Sequence, residues 1–327
     1  MPKVSVIVPV YNAEKTLVQC VSNLVSQTME DIELVFVNDA SADGSLRILM
    51  DCEKQFSDRV IIVNLEDNVG PGGARNAGLL YASGDYIGFV DSDDMVDVTM
   101  YEKLLKKAMD ENADMVDAAY YDEGSDTCIL QTPDELCGEL DDTKRSELIA
   151  GGGYLWSRLF KHELFHGIEF REKVILEDME VMMEMFMKAK VIANTHDVLY
   201  KYSAGDNSAS RPKDALRYHD NIRKAMNAVG VCMEKYCGAD NENLRMAFEY
   251  SVAHLYEGGL SNIVNSNTIE DKDLLYRELY ELRKRYIRMP IKKNRYIIKK
   301  IPHNIRMVFE DVDRHFGNYR KSQGDQE

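Results

Sequence analysis

Three carboxylates follow an apolar run in the stretch YIGFVDSDDMVD, and they are Asp91, Asp93 and Asp94. Because successive side chains of an extended strand alternate, Asp91 and Asp93 are expected to point the same way. Two carboxylates on one side form a hard oxygen site suited to Mg²⁺ or Mn²⁺, and a diphosphate can complete the coordination. The alternative is that Asp93 or Asp94 caps the following helix, but capping accounts for one aspartate and not three.

Four β-branched runs with helix-like segments between them must position these residues. Runs that are apolar on both faces are typical of parallel strands covered on each side. The predicted strands are 4–10, 32–38, 59–65 and 86–91, with a further one at 113–123, and the predicted helices are 14–27, 44–56, 73–82 and 99–112. This alternation predicts a Rossmann-like, mostly parallel α/β sheet with helices on both faces. Ligands bind at the carboxyl ends of the strands in such sheets.

Other residues at predicted strand ends fit a nucleotide. Tyr11 follows the first strand and can stack on a base, while Asp39 follows the second and can accept hydrogen bonds from a base or ribose. Asn68 and Arg75 follow the third strand around the sequence GPGG, whose glycines permit close backbone approach. A plain tight turn is the alternative for GPGG. A dinucleotide fingerprint is disfavoured because GPGG follows the third strand and its glycine spacing differs.

Taken together, VSVIVPVYNAEKTL, VNDASADGS, NVGPGGARNAG and GFVDSDD resemble the family 2 glycosyltransferases, inverting enzymes with the GT-A fold. The motifs match in order and spacing from residue 4 to about residue 100, and further matches reach about residue 210. The resemblance implies that Pro9, Tyr11 and Asp39 hold the uridine of a UDP-sugar. It places Asn68 and Arg75 beside them.

The resemblance also gives roles to the acidic stretch. Asp91 would contact ribose or sugar hydroxyls and, with Asp93, hold Mn²⁺ or Mg²⁺ against the diphosphate, while Ser92 lies in the donor-binding set. The family's carboxylate base matches Asp178, and Glu177 beside it would orient the base or bind the acceptor. The alternative is that both are favourable first-turn acids on a methionine-rich helix.

The acceptor side is less well marked. Trp156, the only tryptophan, lies in a segment that resembles the family's acceptor-binding region, and a core tryptophan is the alternative. Residues 199–210 resemble a loop that closes near the diphosphate, but Lys201 and Ser203 depart from its commoner arginine-bearing form. His196 could act as a third metal ligand, although a surface histidine is the favoured interpretation.

The carboxyl-terminal part has helical periodicity and an unusual distribution of charge. We predict a catalytic domain at 1–213, a helical subdomain at 214–282 and a basic amphipathic segment at 283–327. Ten Lys or Arg residues and no Asp or Glu lie between Arg283 and Arg306, which leaves −26 on the rest of the chain. Pro290 and Pro302 predict short helices here. Either this segment attaches to anionic lipid, or it docks on the acidic body of the same or a neighbouring subunit.

The bulk composition narrows the class of protein. A net charge of −16 argues against nucleic-acid binding, and no apolar run of about 18 residues predicts a membrane span. The first residues lack a secretory cleavage site, and the six scattered cysteines are expected to be free thiols. These features predict a cytoplasmic protein, with attachment to the inner face of the membrane and self-association both left open.

The leading function is therefore metal-dependent, inverting transfer from a UDP-sugar to a glycan or lipid-linked acceptor, in cell-surface polysaccharide synthesis. A nucleotidyltransferase is the alternative enzyme, although it would carry a glycine-rich basic loop where this chain has VYNAEKT. A non-catalytic nucleotide-sugar-binding protein is a third class. An NAD-dependent oxidoreductase ranks last because no glycine fingerprint follows VSVIVPV.

Overall fold

The chain folds into two compact units, which are residues 1–141 with 153–208 and residues 142–152 with 209–327. The structure, a computed structural model, describes residues 2–203, 214–238 and 241–324, with side chains through residue 316. The predicted domain boundary at residue 213 lies outside the described residues. Two features differ from the predicted division: residues 142–152 belong to the second unit, and so do the residues after 283.

The first unit contains a ten-stranded mixed sheet. Its strands are β1 (Val4–Val10), β2 (Ile32–Asn38), β3 (Val60–Asn64), β4 (Tyr86–Phe89), β5 (Met95–Val96), β6 (Met115–Asp122), β7 (Thr127–Ile129), β8 (Gly138–Glu139), β9 (Arg158–Lys161) and β10 (Val191–Tyr202). The order is β3-β2-β1-β4-β9-β6-β10-β5, with β7 on β6 and β8 on β10. The first four strands in this order are parallel, whereas β9 is antiparallel to both of its neighbours.

The α-helices within the described residues are α1 (Leu17–Val25), α2 (Ser45–Gln55), α3 (Gly70–Tyr81), α4 (Met100–Glu111), α5 (Asp142–Gly151), α6 (Glu177–Lys188), α7 (Ala215–Tyr236), α8 (Glu242–Asn265), α9 (Lys272–Tyr286), α10 (Arg295–Lys300) and α11 (His303–Gly324). Helices α1 to α4 alternate with the strands as predicted. Helix α3 begins at Gly70, earlier than expected, because Pro71 fits the first turn of a helix and Gly70 adopts the left-handed φ of 80°. The GPGG sequence is thus part of the helix.

The register of the parallel strands brings the predicted site residues to one edge. Val10 pairs with Asn38, so Tyr11 and Asp39 both follow the carboxyl ends of adjacent strands. All seven residues of β2 are buried, as expected for a central strand that is covered on both faces. The central strands therefore fix the backbone from which the candidate site extends.

The second unit consists of α5 and α7 to α11. Side chains cap several of its helices, since Asp214, Asn241, Asp271 and Asn294 accept hydrogen bonds from backbone N–H groups in the first turns. Helix α8 lies against α5, α7 and α9, and its buried face includes Phe248. Within the described residues, no helix combines the length and the apolar character needed to cross a membrane.

Candidate functional site

Asp39 joins the second strand to the start of α3. Its Oδ1 accepts a hydrogen bond from the Val69 N–H at 2.7 Å, and its Oδ2 accepts from the Gly70 N–H at 2.9 Å and the Asn68 amide at 3.0 Å. Burial raises the pKa of Asp39, and the two N–H donors partly offset that rise. Tyr11 lies beside this edge with 54% of its surface exposed, so its ring is open to a ligand.

Arg75 links two carboxylates that are far apart in sequence. Its buried guanidinium extends from α3, pairs with Glu177 through Nη1 and donates to Asp91 Oδ1 through Nη2 at 3.0 Å. Burial disfavours the charged form of the Arg75 guanidinium, but Glu177 and Asp91 together raise the pKa of Arg75 above its usual value. Arg75 therefore holds the end of β4 against the start of α6, and its predicted contact with the donor stays a prediction.

Asp94 anchors the acidic loop. Its Oδ2 accepts from the Tyr200 hydroxyl at 2.6 Å and its Oδ1 accepts from the Ser203 N–H at 2.8 Å, while the Asp91 N–H donates to the same hydroxyl at 3.3 Å. Burial, followed by the charge of Asp91, raises the pKa of Asp94 to about 8. One carboxylate of the three is thus used inside the protein, and the loop is tied to the end of β10.

The capping alternative for these aspartates is wrong. Helix α4 begins at Met100 after Thr99, and it is Asp97 that accepts from the Thr99 N–H, at 2.8 Å. Asp94 instead bonds to the end of β10, and Asp93 accepts no hydrogen bond from another described residue. The sequence Asp91 to Asp94 therefore needs an explanation other than helix capping.

Asp93 is the most exposed carboxylate of the acidic loop. It is exposed, and Ser92 before it uses its carbonyl to accept from the Thr16 hydroxyl at 3.1 Å. Desolvation of its carboxyl group, and then the charge of Asp91, raise the pKa of Asp93 even though the residue as a whole is exposed. The Oδ2 atom of Asp91 makes no hydrogen bond within the described residues. Bringing a cation to Asp91 and Asp93 would relieve this repulsion.

Glu177 and Asp178 begin α6. Leu176 before them has a left-handed φ of 67°, an unusual conformation for a branched residue and one that is common at functional sites. Glu177 is buried and Asp178 is half-buried. Burial and then Glu177 raise the pKa of Asp178 to about 7, although Arg75 acts in the opposite direction. The pKa of Asp178 thus lies where a general base is most effective near neutral pH.

An aromatic stack lies in the same unit. Trp156 is only 6% exposed and stacks on Tyr154 at 4.7 Å and on Tyr202 at 5.3 Å, measured between ring centroids. Tyr154 is 47% exposed, so it is the open member of the stack. Burial and then the charge of Asp178 raise the pKa of the Tyr154 hydroxyl. Sequence reasoning singled out the tryptophan and did not consider Tyr154, two residues before it.

The other polar candidates have partners elsewhere. His196 is exposed and its Nε2 lies 2.9 Å from Asp134 Oδ1, which agrees with a surface histidine. Lys201 forms an ion pair with Glu123 at 2.7 Å. Most of the predicted loop, from residue 204 to 210, lies outside the described residues. Across 2–203, 214–238 and 241–324, no three His, Cys, Asp or Glu side chains are arranged to hold a metal.

Comparisons with known proteins agree with the strand-end motifs. The model of the family described as glycosyl transferase family 2 matches residues 5–165. EpsJ of Bacillus subtilis, named as an uncharacterized glycosyltransferase, is 30% identical over 261 residues, which cover 75% of this chain and 74% of EpsJ.

Solved structures agree with the fold. TarS of S. aureus, residues 1–349 in complex with UDP-GlcNAc, has a TM-score of 0.74 and 20% identity, covering 98% of this chain and 92% of that chain. The mannosyltransferase PcManGT of Pyrobaculum calidifontis, in complex with GDP-Man and Mn²⁺, has a TM-score of 0.55 and 16% identity, covering 91% and 85%. The fold is thus GT-A with added carboxyl-terminal helices, and the chain belongs to family 2 of the glycosyltransferases.

Proposed function

We propose that this glycosyltransferase moves a sugar from a UDP-sugar to a hydroxyl group of a glycan or lipid-linked acceptor, with inversion at the anomeric carbon. The observation that carries the proposal is the bridge from Asp91 through Arg75 to Glu177, with Asp178 next to it. This bridge places a donor-side carboxylate and a candidate base in one connected cluster. Family membership favours sugar transfer over the nucleotidyltransferase and oxidoreductase alternatives.

The donor would lie along the carboxyl edge of the first strands. Tyr11 offers an open ring for the base, and Asp39 and Asn68 form a polar group beside it. Pro9 lies two residues before Tyr11, near the end of β1, and its pyrrolidine ring fixes the backbone that leads into the turn. The complex of TarS with UDP-GlcNAc supports a uridine nucleotide as the donor.

The residues fit a divalent cation at the diphosphate. Asp91 and Asp93 would hold it, because their carboxylates lie on one loop and Arg75, the cation that pairs with Asp91, is already shared with Glu177. Two protein carboxylates with oxygens from a diphosphate are a usual set for Mg²⁺ or Mn²⁺. When bound, the ion would offset the negative charge that develops on the departing UDP. Mn²⁺ in the PcManGT complex supports this assignment.

The chemical step would need one proton transfer by the protein. Asp178 takes the proton of the acceptor hydroxyl as the hydroxyl oxygen forms a bond to the anomeric carbon. The bond between that carbon and UDP breaks at the same time, and its electron pair leaves with the phosphate oxygen of UDP. Glu177 is held by Arg75 and keeps the start of α6 in place. Its charge also raises the pKa of Asp178.

The acceptor would enter on the side of the aromatic stack. Tyr154 presents an exposed ring and its pKa responds to Asp178, so it can cover the apolar face of a sugar near the base. Trp156 lies behind Tyr154 and supports it. We place the reaction in the cytoplasm, as a step of cell-surface polysaccharide synthesis.

Calorimetric titration of UDP tests the donor site without any need for an acceptor. We expect binding in the presence of Mn²⁺, and we expect EDTA or Asp93→Ala to weaken it at least about tenfold, since each removes one side of the metal contact. Asp58→Ala, at an exposed position, is the control and should bind like the wild type. Equal affinity for UDP with Mn²⁺ and with EDTA would exclude the metal site.

A further inference from the structure

The segment from Lys284 to Lys300 carries eight cations, and all eight are exposed. We call them the basic surface: Lys284, Arg285, Arg288, Lys292, Lys293, Arg295, Lys299 and Lys300. Two further cations of the basic segment are used differently. Arg283 is buried and pairs with Asp313, and Arg306 is half-buried. The cationic part is therefore a compact stretch between the end of α9 and the end of α10.

The apolar residues of the same stretch face the protein. Tyr286, Ile287, Tyr296 and Ile297 are buried, whereas Ile298 is the exposed large apolar residue, at 43%. The Tyr286 hydroxyl donates to Asn227 Oδ1 at 2.7 Å, and buried Glu249 accepts from the backbone N–H of Arg288 at 3.1 Å. The stretch is thus folded onto the helical unit and presents its cations to solvent.

The protein neutralises little of this charge. Arg295 has a carboxylate partner, Glu147 at 3.1 Å, while Arg285 lies over the Tyr286 ring and Lys300 donates to the Ala150 carbonyl. In the part of the chain that the structure describes, none of the other basic-surface residues has a carboxylate within 4.0 Å. Docking of this surface on acidic residues of its own unit is therefore limited to one ion pair.

We propose that the basic surface binds the anionic headgroups of a lipid bilayer, as a peripheral contact without insertion. A protein partner fits less well, because protein interfaces have apolar and aromatic centres and are depleted in Lys. Single-stranded nucleic acid also fits less well, since the tyrosines of this stretch are buried and offer no ring for base stacking. Lys and Arg side chains near an anionic membrane act additively and need no pocket.

The rest of the chain determines how such binding would behave. The −26 charge outside the basic segment is repelled by an anionic membrane, so only orientations that bring the basic surface to the lipid are favourable. Repulsion of the more distant acidic residues is screened beyond about 8 Å at physiological ionic strength. The contact should therefore be reversible, orienting and weakened by salt. It does not depend on the proposed donor or acceptor.

Vesicle co-sedimentation of the full chain tests this proposal. The probes are vesicles of phosphatidylcholine alone and vesicles in which about one third of the lipid is phosphatidylglycerol. The test variant combines Lys284→Gln, Lys292→Gln, Lys293→Gln and Lys299→Gln. The matched control combines Lys54→Gln, Lys103→Gln, Lys106→Gln and Lys190→Gln, which are exposed lysines of the first unit. Both variants have the same net charge, and circular dichroism checks that both are folded.

We expect the wild type and the control to bind only the anionic vesicles, and the test variant to bind at least about tenfold more weakly. Added salt should release the wild type. Equal loss in both variants, equal binding to neutral vesicles, or no binding at low ionic strength would overturn the proposal. A test variant that still binds anionic vesicles like the wild type, but no longer self-associates or no longer binds an oligonucleotide, would also overturn it. Because vesicle binding needs no UDP-sugar, its failure would leave the proposed activity untouched.

Discussion

At the scale of single residues, the surroundings of Asp178 raise its pKa toward neutral, which supports its proposed role as the base. Burial and the adjacent Glu177 raise its pKa to about 7, and Arg75 keeps the rise from being larger. A carboxylate with an ordinary pKa would be a weaker base toward a sugar hydroxyl. The same arrangement also fixes the start of α6, and with it the proposed base, because Arg75 holds Glu177 in the first turn of that helix.

Replacing Asp178 should therefore affect turnover more than donor binding. We expect Asp178→Asn to lower kcat by about 100-fold or more, which is the usual range for a general base. UDP affinity measured by calorimetry should stay close to that of the wild type. Glu184→Gln on the same helix is the control and should retain its rate. Near-normal turnover of Asp178→Asn, with a large loss in Glu177→Gln, would place the base at Glu177 instead.

The raised pKa of Asp178 also predicts how activity depends on pH. The base must be deprotonated, so kcat/KM should fall about tenfold per pH unit as the pH drops below about 7. Glu177→Gln removes a charge that raises this pKa and frees Arg75 to lower it, so the acidic limb should move to lower pH. Glu184→Gln should not move it. A limb that stays in place, or moves to higher pH, would contradict the assignment.

Sequence reasoning at this scale identified which residue types lie at strand ends but not how they pair. Asp91, Asp93, Glu177 and Asp178 follow from the order of the motifs. The bridge through Arg75 spans 16 residues to Asp91 and 102 residues to Glu177, and no local pattern encodes it.

At the scale of elements, α3 connects the proposed donor side of the site to the proposed base. Asp39 fixes its first turn, Arg75 extends from its middle, and Gly78 lies against β1. A Cβ at Gly78 would approach the Ile7 side chain within 2.4 Å, which leaves no room for a methyl group. The position of α3 against the sheet therefore depends on this glycine.

Gly78→Ala should destabilise the first unit by about 1–3 kcal/mol, because an added methyl group forces packed atoms apart. Urea unfolding followed by tryptophan fluorescence measures this change, since Trp156 is the only tryptophan and lies in the first unit. Leu80→Ala on the same helix, at a side chain that is 85% exposed, is the control and should change stability by less than about 0.5 kcal/mol. A Gly78→Ala protein as stable as the control would show that α3 can shift freely.

Local periodicity predicted α1 to α4 and β1 to β4 well, with ends that differ by a few residues. Strand β9 was not predicted, because it is short, with only four residues, and lies antiparallel between β4 and β6. Its place in the sheet depends on pairing with residues between 41 and 75 positions away in sequence, and such pairing leaves little local signal. The sequence therefore predicted the parallel half of the sheet, formed by β1 to β4, better than the other half.

At the scale of the whole molecule, the chain has two compact units, and its basic residues are concentrated between Arg283 and Arg306 while the rest of the chain carries −26. The change to helical periodicity near residue 214 was visible in the sequence. The sequence did not show that α5 belongs to the second unit, because the contacts of α5 are with residues distant in sequence. Ser251 Oγ donates to the Ile149 carbonyl, and the Tyr296 hydroxyl donates to Glu147. The basic surface was visible as composition, but its separation into exposed cations and buried apolar residues required the fold.

Release of UDP from a panel of nucleotide sugars, measured with the purified chain and Mn²⁺, tests the central claim most directly. We predict release from one or more UDP-sugars, no release from sugars carried by other nucleotides, and loss of release in EDTA. Tyr11 and Asp39 would account for the preference for one nucleotide base, and Asp91 and Asp93 would account for the need for a metal ion. Release only from a non-uridine donor, or release that EDTA leaves unchanged, would contradict the account.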